Sequence, residues 1–168
     1  DMIIVATTTP ERKFPSSAVL LQNKMNIAQG FAFDINAACT GFVYALDIAD
    51  KYIQSGLVKN ALVVGTEKIT SLLDWKDRNT CVLFGDGAGA VILSASSEPG
   101  VLSSTIGSDG SYKDLLTVNT DPEYIEMKGN DVFKIAVNTM GKLAISTLVK
   151  NNMNIDQVDW LIPHQANS

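Results

Sequence analysis

The segment Asn60-Ala61-Leu62-Val63-Val64-Gly65-Thr66 limits the possible folds more than any other stretch of this chain. It is short, almost wholly apolar and rich in β-branched residues. Such a run fits a strand buried on both faces, whereas a strand with one wet face would alternate apolar and polar residues. Met2–Thr8 has the same character and is stopped by Pro10. Strands of this kind need helices on both sides of their sheet, and helical spacing supplies them. One helix is expected from Phe14-Pro15-Ser16 to about Met25, with proline tolerated in the first turn. A second follows Phe42, Ala45/Leu46, Ala49 and Ile53 and stops at Gly56. A third opens at Gly129-Asn130-Asp131, carries Phe133, Ala136/Val137, Met140, Ala144 and Leu148 on one face, and ends at Asn151-Asn152. Further strands are expected at Phe31–Ile35, Val82–Phe84, Ala90–Ala95 and Val158–Ile162. The alternation predicts α/β layers around a largely buried sheet.

Composition narrows the class of function. Thirteen Lys and Arg against eighteen Asp and Glu give a net charge of −5 over 168 residues, with no basic block. A nucleic-acid partner is therefore not expected. No uninterrupted apolar run approaches the ~18–20 residues of a membrane helix, so no membrane partner is expected either. Two cysteines do not make a disulfide framework, which points to a reducing, cytoplasmic setting. A single histidine, with no CxxC or HExxH spacing, leaves no expected metal site.

Cys39 stands where the Phe31–Ile35 strand gives way to a helix. A helix N-terminus favours thiolate, and the small neighbours Ala37, Ala38 and Gly41 leave room for a carbonyl to approach. The same first-turn amides could hold an oxyanion. Taken alone, the position also fits ordinary packing, since cysteine is among the most buried residue types. His164 follows Pro163 at the carboxyl end of an apolar run, the edge where α/β sheets bind ligands. There it could donate to a substrate oxygen or accept a proton, or equally be a satisfied structural residue. Gly85, Gly87 and Ala90 imitate a dinucleotide fingerprint, but Ala90–Leu93 reads as strand where that fingerprint needs a helix. A tight β-turn and close backbone packing are expected of these glycines instead.

Three segments together carry a resemblance. Asn36-Ala37-Ala38-Cys39-Thr40-Gly41-Phe42, Phe84-Gly85-Asp86-Gly87-Ala88-Gly89-Ala90 and Pro163-His164-Gln165-Ala166-Asn167 resemble β-ketoacyl-acyl-carrier-protein synthase III in kind and order. Asp77-Arg78 and Gly129-Asn130-Asp131-Val132-Phe133 also fit. The resemblance implies a thiolase-like α-β-α-β-α layered fold, of which residues 1–168 hold only part. About 1–100 would be the end of the N-terminal repeat, and about 101–168 the start of the C-terminal one. It implies the initiating condensation of type II fatty-acid synthesis, in which acetyl-CoA joins malonyl-acyl-carrier protein with loss of CO₂. Cys39 would carry the acetyl group and His164 would stabilise the enolate oxygen. Arg78 would contact the adenine end of CoA, Asn167 the pantetheine channel, Phe133 the substrate tunnel, and Phe14 the acyl pocket of a homodimer partner. No cofactor is implied, because acetyl-CoA is a substrate.

The family's third catalytic residue, an asparagine, and its CoA-contacting tryptophan have no counterpart here, and Trp75 does not replace the latter. A chain that opens inside a core strand and stops just after the His164 motif is expected to be part of a longer polypeptide. Three other readings stay open at this stage. They are a thiolase relative with a different starter acyl group, a cysteine hydrolase using Cys39 before His164, and an interaction module with an inert cysteine.

Overall fold

The computed structural model describes residues 1–98 and 100–165, which form two compact units. The first comprises Asp1–Ile69 and Gly85–Val101; the second comprises Thr70–Phe84 and the chain from Leu102 onward.

The first unit is built on strand β1 (Met2–Ala6). It pairs in parallel with β2 (Phe31–Ile35) on one side and β3 (Asn60–Lys68) on the other. Antiparallel β4 (Asp86–Ser94) then completes the order β2-β1-β3-β4. Side chains alternate across a strand, so β1 feeds two cores. Met2, Ile4 and Ala6 pack with Val63 and Ala61 against Ala45 and Ala49 of helix α2 (Gly41–Gln54). Ile3 and Val5 pack on the opposite face with Ala18 of helix α1 (Ser17–Lys24). Ile4 and Val63, facing each other in register, are wholly inaccessible to solvent. Burying such side chains contributes roughly 1.5–3 kcal/mol each. The both-faces burial inferred from Asn60–Thr66 is thus realised, with a helix over each face.

Helix α1 begins a turn later than Phe14. Ser16 is its N-cap, accepting from Val19 N at 3.3 Å, and the Asp34 carboxylate accepts from Ser17 N and Ala18 N, both at 2.7 Å. Those amides are orphaned at any helix start, so a β2 carboxylate tethers α1 to the sheet. Helix α2 stops as expected, with Gly56 at a positive φ of 77°.

Two expectations about the glycine segment are corrected. Val82–Phe84 is not a strand: Leu83 N is committed to Thr80 O at 3.0 Å within a turn. The glycines themselves enter the sheet, with Gly87, Ala88 and Gly89 paired to Glu67, Thr66 and Gly65. They form neither a tight turn nor a close backbone contact, since a Cβ at Gly85, Gly87 or Gly89 would meet nothing within 4 Å. No helix opens on them, so the dinucleotide fingerprint fails where it was expected to fail.

The second unit holds the hairpin of β5 (Leu116–Val118) and β6 (Ile125–Met127), followed by helix α3 (Gly129–Lys150). The end of α3 is fastened by Asn151 Nδ2 donating to Ser103 Oγ at 2.7 Å and by Lys150 Nζ donating to Ser104 O at 2.9 Å. No residue of α3 is buried. By length and composition this helix could cross a membrane. The sequence reading missed that because Lys134 and Lys142 interrupt the apolar run without making the segment polar. The strand expected at Val158–Ile162 is also absent. Val158 N closes a 3-10 turn on Ile155 O at 3.0 Å, and the following residues have no ladder partner among those described. A strand exists only through pairing, so Trp160 and Ile162 lie exposed instead.

Candidate active site

Cys39 lies on a single 3-10 turn, Ala38–Thr40, between the carboxyl end of β2 and the first residue of α2. Its thiol is free and exposed. The turn is set by Ala38, whose φ of +45° is a left-handed conformation rare outside glycine. Thr40 Oγ1 donates to Ala37 O at 2.8 Å, and Asn36 Oδ1 accepts from Ala38 N at 3.4 Å. Gly41 brings α2 against β1, for a Cβ there would stand 3.1 Å from that of Ala6. A residue larger than glycine would push the helix start away from the sheet. The nucleophile candidate is therefore carried on a rigid junction, with its side chain open to a partner molecule.

The same sheet edge carries a polar clamp that sequence reasoning missed. Glu67, near the end of β3, accepts from Thr8 N at 2.8 Å and Thr8 Oγ1 at 3.0 Å on the loop leaving β1, and from Thr9 Oγ1 at 2.5 Å. Thr9 Oγ1 in turn accepts from Lys68 N at 2.7 Å. These bonds fix the start of the loop that presents Phe14, which is 84% exposed ahead of the cis Phe14–Pro15 peptide. No local pattern marks Glu67, because its partners lie almost sixty residues away. The run Thr7-Thr8-Thr9, unusually rich in hydroxyls for a strand end, was the available signal.

Arg78, Phe133 and His164 belong to the second unit, and all three are exposed. Arg78 tops a loop bonded to itself around Asp77. Asp77 Oδ1 accepts from Asn79 N at 3.0 Å and Asn79 Nδ2 at 3.1 Å, and its Oδ2 accepts from Thr80 Oγ1 at 2.8 Å. The Asn79 amide and then the Thr80 hydroxyl hold the Asp77 carboxyl below the usual aspartate value. Phe133 lies in the first turns of α3, and His164 follows Pro163 outside any helix or strand. Asn167 lies outside the described residues. No group of His, Cys, Asp and Glu among the described residues could hold a metal ion.

Residues 33–110 match the family model of 3-oxoacyl-acyl-carrier-protein synthase III, across Cys39 and Arg78. The chain is 54% identical to a β-ketoacyl-acyl-carrier-protein synthase III of Thioalkalivibrio sulfidiphilus and 50% identical to one of Alkalilimnicola ehrlichii. Each match covers 99% of this chain and 55% of the relative. The crystal structure of the Aquifex aeolicus 3-oxoacyl-acyl-carrier-protein synthase III superposes with a TM-score of 0.96 at 48% identity, over 99% of this chain and 54% of that one.

Over nearly its whole length the chain is similar to synthase III enzymes. It spans about half the length of the synthase III relatives it matches. The thiolase-like α/β architecture is thereby shown for the part present, and the sheet with a helix over each face is its core. The match runs through both units, so Cys39, Phe14, Arg78, Phe133 and His164 all stand on chain with synthase III counterparts. Within the first unit, Cys39 and the Phe14 loop leave the carboxyl ends of adjacent parallel strands, the usual ligand edge of such sheets.

Proposed function

We propose that this chain carries the acyl-accepting half of an initiating condensing enzyme of type II fatty-acid synthesis. The observation that supports it most is the free, exposed Cys39 thiol on the turn that opens α2. In the first half-reaction the Cys39 thiolate attacks the thioester carbonyl of acetyl-CoA. The first-turn amides of α2 are suited to hold the resulting oxyanion. The tetrahedral species collapses to an acetyl thioester on Sγ, and the CoA thiolate leaves.

In the second half-reaction malonyl-acyl-carrier protein loses CO₂. The electron pair of that C–C bond becomes an enolate, which His164 stabilises by donating to its oxygen. The carbanion carbon attacks the acetyl thioester, giving acetoacetyl-acyl-carrier protein and returning the Cys39 thiolate. Acetyl-CoA and acyl-carrier protein are the partners in this reading. Arg78 takes the adenine end of CoA, Asn167 the pantetheine channel and Phe133 the tunnel. Residues 1–100 and 101–168 then correspond to the end of one repeat and the start of the next. A cytoplasmic homodimer, with Phe14 closing the partner's acyl pocket, completes the proposal. Sedimentation of the full-length protein as monomer only would remove that last part.

The test of the chemistry is incubation of the full-length protein with acetyl-CoA, then intact mass and peptide mapping. One stable acetyl group on the Cys39 peptide is expected. Rapid release of acetate would indicate a hydrolase, and no adduct would indicate an inert cysteine.

A further inference from the structure

We propose that Asp77 is a positioning residue that holds Arg78 for the nucleotide end of an acyl-CoA. The inference rests on the reading of Arg78 given above and adds to it the means by which an exposed arginine is aimed.

A long side chain on a free loop spreads its charge over a wide volume, and ordering it on binding costs side-chain and backbone entropy. Here the backbone on both sides of Arg78 is already committed. Upstream, Asp77 N donates to Asp74 O at 3.0 Å. Downstream, Asn79 is held to the Asp77 carboxylate through both its backbone and its side-chain nitrogen. Thr80 fastens the other carboxylate oxygen, and its side chain is buried, so the loop has an anchor out of solvent. The Asp77 carbonyl accepts as well, from Thr80 N at 3.3 Å and Cys81 N at 3.0 Å. One carboxylate thus bridges across Arg78 and ties residue 77 to residues 79 and 80. These bonds bypass the arginine, whose exposed side chain is left for a ligand. The anionic phosphates of the nucleotide end suit a guanidinium held in this way.

The experiment compares two acetyl donors on the full-length protein. Acetyl-CoA carries the nucleotide, and acetyl-phosphopantetheine presents the same thioester without it. Their kcat/KM values are taken for the unaltered protein, Asp77→Ala, Asp77→Asn and Arg78→Ala. Asp77→Ala should lower the ratio of acetyl-CoA to acetyl-phosphopantetheine roughly three- to tenfold, the scale of one or two lost hydrogen bonds. Asp77→Asn keeps an oxygen for Asn79 N and should lower it less. If Asp77→Ala lowers both donors equally, its role is structural and the proposal fails. An unchanged ratio in Asp77→Ala beside a lowered one in Arg78→Ala also overturns it, while leaving the Arg78 reading intact. An unchanged ratio in Arg78→Ala removes the underlying reading.

Discussion

The two units use similar apolar patterns to very different effect. In the first, β1 sends alternate side chains into two cores and each core has a helix waiting for it. In the second, the 22 residues of α3 expose Phe133, Val137, Ile145 and Val149, and Trp160 and Ile162 are almost bare. Apolar periodicity therefore reports that a surface requires a partner. Whether the partner is present depends on other segments of the chain. The candidate site divides along the same line, with Cys39 braced by a packed sheet and His164 outside any helix or strand.

The sharpest way to break this contrast is at the braced end. Cys39→Ala is expected to abolish acetyl-enzyme formation, while the melting temperature stays within a few degrees, since one small exposed side chain is trimmed. An acetylated alanine variant would move the nucleophile elsewhere. At the unbraced end, His164→Ala should slow malonyl decarboxylation and condensation by ~10²–10³ and acetylation much less. Equal losses in the two half-reactions would instead tie His164 to the state of Cys39.

Stability should separate the units as well. Ile4→Ala is expected to cost about 2–5 kcal/mol, because the buried side chain leaves a cavity that the sheet cannot close. Ile145→Ala, at a residue 66% exposed, should stay within about 0.5 kcal/mol. Urea unfolding of the two variants of the 168-residue chain gives both numbers, and similar losses would refute the contrast.

The smallest expected effect concerns the Asp77 loop. Its carboxyl titrates below the ordinary aspartate value, so the loop's bonds are fully present above about pH 4 and are lost as pH falls through the lowered value. In an NMR titration, the Asn79 amide signal should hold steady from neutral pH to about pH 4 and move only below it. Movement nearer neutrality would contradict the bonding described.

The parts legible in the sequence were those decided by neighbours along the chain. Phe31–Ile35 and the opening of α3 at Gly129 fall where expected, and Cys39 sits at its strand-to-helix junction. Local propensity and capping suffice for such features. Three failures involve partners distant in sequence. Gly87 and Gly89 look like turn residues, yet β3 recruits them into a ladder. Val158–Ile162 looks like a strand, yet no neighbour pairs with it among the described residues. Glu67 carries no local mark at all, because its meaning comes from Thr8 and Thr9.

The left-handed backbone at Ala38 has a consequence for how this chain can change over time. Glycine there would relieve the crowding of a Cβ and leave the turn in place, so drift from alanine to glycine is nearly free. A valine or isoleucine could not adopt the same φ, and the turn beneath Cys39 would have to rebuild. The position next to the thiol is thus open to residues that accept a left-handed backbone, such as glycine or the asparagine found at Asn26 and Asn152, and closed to β-branched side chains.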